Sequence, residues 1–240
     1  MPISEFRAQN FRCLEDVRLE LDPRYNLIYG GNASGKTSVL EALAYLGRGK
    51  SFRGAPTPSL VRHGEQEFVL FGKLLRGSKA INVGVRNGKE GLEVKVDGAG
   101  NGGAAALAGA LPLQVIDPDV HNLVSGGPEE RRRFLDWIAF HVEHDFLAAW
   151  RRFRRTLKQR NAALRAGGRG LEAWNAEFIE LGIIVDTARR SVLEVSLDSL
   201  EEQGLALLGA DVRFEYRPGW ASNTDLARAL GESVERDLAL

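Results

Sequence analysis

The chain has one cysteine in 240 residues, so no disulfide closes within it, and a lone thiol fits a reducing cytosol. Cys13 lies beside apolar positions of an expected strand and reads as a packing residue, not a nucleophile. Long apolar runs are missing: none approaches the ~20 residues that a membrane-crossing helix needs. The opening Met1-Pro2-Ile3-Ser4-Glu5 has no basic stretch leading into an apolar one. No signal peptide and a cytoplasmic location are therefore expected. Net charge is missing too, with 32 basic and 32 acidic side chains. That zero hides an asymmetry. Residues 131–169 hold 11 basic and 3 acidic side chains, and residues 170–240 hold 6 and 14. A strongly basic segment of this kind points to a local anionic partner.

What the chain does have is a complete G-x-x-x-x-G-K-[ST] phosphate loop: Gly30, Gly31, Asn32, Ala33, Ser34, Gly35, Lys36 and Thr37, followed by Ser38. Tyr25-Asn26-Leu27-Ile28-Tyr29 before it reads as a strand, and Ser38 to Leu46 after it has helical spacing, the context this motif requires. Glycines let successive N–H groups point inward at phosphate oxygens, and the helix N-terminus adds its positive dipole end. Lys36 is expected to reach the β- and γ-phosphates of ATP, and Thr37 to ligate Mg2+.

Strands are predicted over Ile3–Phe11, Val17–Leu21, Gln66–Leu75, Ala80–Val85 and Leu92–Val96, with Arg86-Asn87-Gly88-Lys89 as a turn. Gly98–Gly109 reads as a loose loop entering a short helix, and Leu113–Ile116 as a buried strand ended by Asp117-Pro118. Gly127-Pro128-Glu129-Glu130 is a helix start. Phe146, Trp150, Phe153, Leu157, Asn161 and Leu164 form one helical stripe, and Trp174, Phe178, Leu181, Val185, Ala188, Val192 and Val195 another. With Gly167-Gly168-Arg169-Gly170 between them they predict an antiparallel helical hairpin. Val212–Tyr216 reads as a strand and Thr224–Leu240 as a helix. The expected fold class is α/β: an ATP-binding P-loop lobe over 1–125, to which 205–240 can return, carrying an α-helical arm over 126–204.

Three motifs look functional and are read as structural. Leu113-Gln114-Val115-Ile116-Asp117 resembles the strand that ends in a magnesium-holding carboxylate, but Pro118 follows and no Glu is adjacent. Gly182-Ile183-Ile184-Val185-Asp186 has the letters inside a helix, where such a carboxylate does not sit. Val124-Ser125-Gly126-Gly127-Pro128 resembles an ABC-type signature and is read as a helix-cap turn. The arginines are different. Arg151, Arg152, Arg154, Arg155, Lys158 and Arg160 avoid the apolar stripe of their helix, and residues 146–169 carry no acid, so ion pairs within the helix cannot account for them. Such a stripe is an electrostatic footprint for a phosphate backbone. Arg151, Arg152, Arg155 and Lys158 are the expected DNA contacts.

Several blocks together resemble the RecF family, bacterial recombination and gap-repair ATPases of the SMC/ABC class. They are Asn10-Phe11-Arg12, Gly31 through Ala42, Phe52-Arg53, Leu113–Ile116, Gly126-Gly127-Pro128 through Phe134-Leu135-Asp136-Trp137, and Leu157 through Leu164. The resemblance implies ATP and Mg2+ at Lys36 and Thr37, Asn10 and Arg12 near the nucleotide, and Gln114 as a second group sensing magnesium. It also implies binding to single- and double-stranded DNA at gaps and junctions, and a role in recombinase loading, replication restart and the SOS response. RecR- and RecO-type mediators, a RecA-type recombinase and an ATP-dependent homodimer of the full-length protein are the implied partners. RecF-like chains continue into a signature, a second carboxylate motif and a D-loop, none of which is recognisable here. Slow DNA-dependent ATP hydrolysis is thus expected of a full-length protein, and nucleotide binding of this chain. The competing classes are a nucleotide-gated scaffold without hydrolysis and a P-loop small-molecule kinase. The kinase is disfavoured because two strands precede the loop.

Overall fold

The computed structural model describes residues 2–100, 102–221 and 223–239. The chain divides into two compact units, Met1–Pro118 and Asp119–Leu240.

The first unit is built on alternation. In β1 (Ile3–Phe11) the middle of the strand alternates, with Phe6 and Ala8 buried on one face while Arg7 and Gln9 point to the other. The same pattern runs through β2 (Leu14–Glu20), β3 (Glu67–Arg76), β4 (Lys79–Gly88) and β5 (Gly91–Val96). With the two-residue β6 (Ala99–Gly100) they form one antiparallel sheet in the order β2-β1-β3-β4-β5-β6. Helices α1 (Lys36–Arg48) and α2 (Gly103–Ala110) cover its apolar face. Ala42, Tyr45 and Leu46 of α1 meet Phe6, Phe11, Phe68 and Leu70 there. Gly72 of β3 permits the approach, since a Cβ on it would lie 2.5 Å from Leu46 Cδ2. Phe11, Phe68 and Tyr45 pack edge to face with centroids 4.9 to 6.2 Å apart.

Three predicted strands do not form. Tyr25–Tyr29 is irregular, with Tyr25, Leu27 and Tyr29 more than four-fifths exposed. A strand needs a neighbour for its N–H and C=O groups, and this segment follows a local loop instead. Asp22 Oδ1 accepts from the N–H groups of Arg24 and Tyr25, and Asn26 Oδ1 accepts from that of Asp22. Leu113–Ile116 is extended but unladdered; Leu113 abuts Gly47, while Ile116 is exposed. Val212–Tyr216 is held by side chains, Val212 against Gly204 and Tyr216 Oη donating to Asp186 at 2.6 Å. Arg86–Gly88, expected as a turn, continues β4.

The second unit is helical: α3 (Asn122–Ser125), α4 (Pro128–Val142), α5 (Phe146–Arg165), α6 (Leu171–Leu208) and α7 (Leu226–Leu238). Gly127 caps α4 with Pro128 in its first turn, and Gly167–Gly170 turns α5 into α6 with Gly167, Gly168 and Gly170 at positive φ. At 38 residues α6 runs well beyond the predicted stripe. Phe146, Trp150 and Phe153 pack with Ala139, Val185 and Val192. At their centre Asp136 accepts from Trp150 Nε1 at 2.9 Å and from Arg189 Nε and Nη2 at 2.7 and 3.0 Å, tying α4, α5 and α6 together. The division at Pro118/Asp119 falls before the expected residue 125, and residues 205–239 lie with the helical unit. Asp237 of α7 pairs with Arg160 of α5 at 2.9 Å, and a Cβ on Gly182 of α6 would meet Leu226 at 2.7 Å.

Candidate nucleotide site and basic helix face

The phosphate loop has the backbone that its sequence calls for. Gly30, Ala33 and Gly35 stand at φ +151°, +61° and +90°, and α1 starts directly at Lys36. Gly30 and Gly35 tolerate these angles; Ala33 is a non-glycine in the left-handed region. No side chain caps the helix, and no acid stands in its first turn. Its leading N–H groups and dipole are therefore left for an anion. Lys36 Nζ folds over the loop, donating to the Gly30 and Gly31 carbonyls at 2.9 and 2.5 Å, with Ser34 Oγ at 3.5 Å. Asn32, Ser34 and Thr37 are exposed, and Thr37 stands in the first helical turn.

The β1–β2 turn lies against this loop. Cys13 is exposed in that turn and not packed in a strand; its Sγ is 3.3 Å from Ser38 Oγ, and a Cβ on Gly35 would meet it at the same distance. Arg12, beside it, is at φ +55°, as is Asn10. Arg12 Nε and Nη2 each donate at 2.9 Å to the two carboxylate oxygens of Glu41, Nη1 donates to the Ser59 carbonyl, and the backbone N–H to that of Leu60. Ser51 donates to Glu41 as well. Burial pushes the Glu41 carboxyl up, but the Arg12 and Ser51 hydrogen bonds, with the charges of Arg12 and Arg53, outweigh it and hold the group below the ordinary carboxylate range. Sequence reasoning passed over Glu41. The available signal was a charged residue sharing a helix face with Ala42 and Tyr45.

Gln114 is exposed, with its amide on the Val115 carbonyl at 3.3 Å. Its neighbour Leu113 abuts Gly47, eleven residues and roughly 16 Å along α1 from Lys36. The motifs read as structural are engaged elsewhere. Asp186 holds Tyr216 and Arg190, and Ser125 donates back to the His121 carbonyl within α3.

On α5, Arg151, Arg152, Arg154, Arg155 and Lys158 are exposed. Arg160 is not: it is buried, donates to Asn175, pairs with Asp237 and lies over the Phe178 ring. Two residues past exposed Lys158, about 200° around the helix, it stands on the packed side facing α7, so it leaves the basic stripe. Arg152 pairs with Glu177 at 3.0 Å and Arg154 covers Trp150. Arg151, Arg155 and Lys158 have no ion-pair partner among the described residues.

Residues 1–92 match the model of the AAA ATPase domain family. The whole chain aligns with the DNA replication and repair protein RecF of Salmonella arizonae at 38% identity, covering 68% of that protein, and equally with its counterpart from Salmonella typhi. Two solved structures superpose on 99% of the chain at 25% identity. The recombination mediator protein RecF-ATPrS in the RecFOR pathway does so with a TM-score of 0.89 over 69% of its length, and RecF-ATP with 0.87 over 68%. A phosphate loop at the head of α1, a matching fold and this identity over the full chain make the protein a member of the RecF family.

Proposed function

We propose that this protein binds ATP with magnesium at the phosphate loop, grips DNA by its backbone along α5, and acts in recombinational repair. The observation that carries the reading is the uncapped, acid-free N-terminus of α1 with Lys36 folded over it. Lys36 would exchange the Gly30 and Gly31 carbonyls for β- and γ-phosphate oxygens, while the N–H groups from Asn32 to Ser38 take the remaining phosphate oxygens. A hydroxyl and phosphate oxygens are the hard donors that magnesium takes, and exposed Thr37 fits that role. Magnesium would neutralise charge on the phosphates. Gln114 as a second magnesium ligand is supported by resemblance alone.

DNA contact through Arg151, Arg152, Arg155 and Lys158 is supported by their exposure on one helix that carries no acid of its own, although Glu177 of α6 engages Arg152. Kinship with the family supports extending the reading to single- and double-stranded DNA at gaps and junctions, RecR- and RecO-type mediators, a RecA-type recombinase, a cytoplasmic location and an ATP-dependent dimer of the full-length protein. A scaffold reading, with ATP as a switch and no turnover by residues 1–240 alone, is favoured by the engagement of Asp186 and Ser125 within the helical unit. Phosphoryl transfer needs positioned charge at both ends of the phosphate chain.

Calorimetry on Lys36→Ala tests the loop. ATP affinity should fall about 100-fold or more while the melting temperature stays put. Unchanged affinity would sink the assignment. Light scattering and phosphate release should give a monomer with ATP and turnover near background; ATP-dependent dimers whose turnover Ser125→Arg or Asp117→Asn abolishes would overturn the scaffold reading.

A further inference from the structure

Glu41 is a carboxylate wholly withdrawn from water inside the first unit. Such a group is tolerated only when it is paired and fully hydrogen-bonded, so its partners disclose what it is there to hold. Its three hydrogen bonds come from two places. Two are the bidentate pair from Arg12, at the β1–β2 turn; the third is from Ser51, in the segment following α1. Arg12 is held twice more, its Nη1 donating to the Ser59 carbonyl and its backbone N–H to the Leu60 carbonyl. Its backbone is in the left-handed region, where a non-glycine residue persists only if its surroundings over-determine it.

The residue next to Arg12 touches the phosphate loop: Cys13 Sγ lies against Ser38 Oγ and beside Gly35. Glu41 stands on the same helix as Lys36, five residues on. A guanidinium has five N–H groups, and Arg12 uses three of them on Glu41 and Ser59, which leaves two. About a quarter of the Arg12 side chain reaches solvent, so the charge is held but not closed off.

We propose that Glu41 is a positioning residue of the nucleotide site: from inside α1 it locks the Arg12 guanidinium and, through it, holds the Arg12–Cys13 turn in register with the phosphate loop. This rests on the proposed binding of ATP at Lys36 and Thr37 and adds a residue that never meets the ligand. A staple that served stability alone would need neither a strained arginine nor a turn set against Gly35.

The experiment is a double-mutant cycle on ATP affinity, with Arg12→Ala, Glu41→Gln and the pair, each with a thermal melt. Arg12→Ala, which releases the turn that Cys13 sets against Gly35 and Ser38, should weaken binding about tenfold. Glu41→Gln should weaken it about fivefold in the native background and less than about twofold beside Arg12→Ala, because its effect passes through Arg12. An equal loss in both backgrounds would mark Glu41 as general scaffold and overturn the proposal, as would native affinity in Glu41→Gln. Where Glu41→Gln does not fold, Glu41→Asp carries the same cycle with the same two outcomes. If Lys36→Ala loses ATP while Arg12→Ala binds normally, the phosphate-loop reading stands and only this inference fails. If Lys36→Ala binds normally, the reading beneath it fails.

Discussion

Arg131-Arg132-Arg133 on α4 and the arginines of α5 look alike in sequence and differ in what they touch. Arg131 donates to the carbonyls of Leu123, Val124 and Gly126, closing the end of α3. Arg132 and Arg133 pair with Glu129 and Glu130 one turn back. On α5 no acid stands one turn away; Glu177 of α6 pairs with Arg152 and feels the charge of Arg155, while Arg151 and Lys158 have no ion-pair partner among the described residues. Arg160 and Arg189 form a third group, turned inward onto Asp237 and Asp136. A count of positive charge therefore says little until each cation is asked for its nearest acid. Of these three groups, the α5 set is the one that offers a surface for an anion.

The comparison can be broken at each group. The inward group should give the largest effect. Asp136→Ala leaves Arg189 and Trp150 Nε1 without their acceptor in a mostly buried setting, which should cost about 3–5 kcal/mol of stability. Urea unfolding measures it, and a loss under about 1 kcal/mol would show that the triad is dispensable.

The α5 group should answer to DNA and not to denaturant. Replacing Arg151, Arg152, Arg155 and Lys158 with Ala should flatten the dependence of log K on log salt by roughly one unit per lost phosphate contact, alike for all sequences. Arg152 should contribute least, because Glu177 already engages it. A quadruple variant with the native salt slope would make this an ordinary solvated face. The α4 group should give the smallest effect: Arg132→Ala and Arg133→Ala should each move stability by no more than about 0.5 kcal/mol and DNA affinity by less than about twofold. A larger loss of DNA affinity would erase the distinction between α4 and α5.

Much of the architecture was readable because it rests on local periodicity. The two-residue alternation around Phe6 and Ala8 and the three-to-four step from Phe146 to Leu164 each name an element without outside help. Tyr25–Tyr29, Leu113–Ile116 and Val212–Tyr216 have strand-like residues, but no neighbour pairs them, and pairing is not a local property. Arg160 was misread because the helical wheel says which side a residue is on, while only the tertiary fold says that α7 covers that side. The phosphate loop was legible for the opposite reason, since its function lies in backbone shape that glycines announce. Glu41 was not, because its role depends on a partner 29 residues earlier in the chain.

The Arg160–Asp237 pair joins residues 77 positions apart, whereas the α5–α6 hairpin closes through the short turn between Arg165 and Leu171. Short-range contacts form early and long-range ones late. The α5–α6 hairpin can close before α7 docks, with Asn175 of α6 already within reach of the Arg160 guanidinium. α7 thus carries the counter-ion for a charge that sits on α5, and that charge is neutralised only once α7 docks.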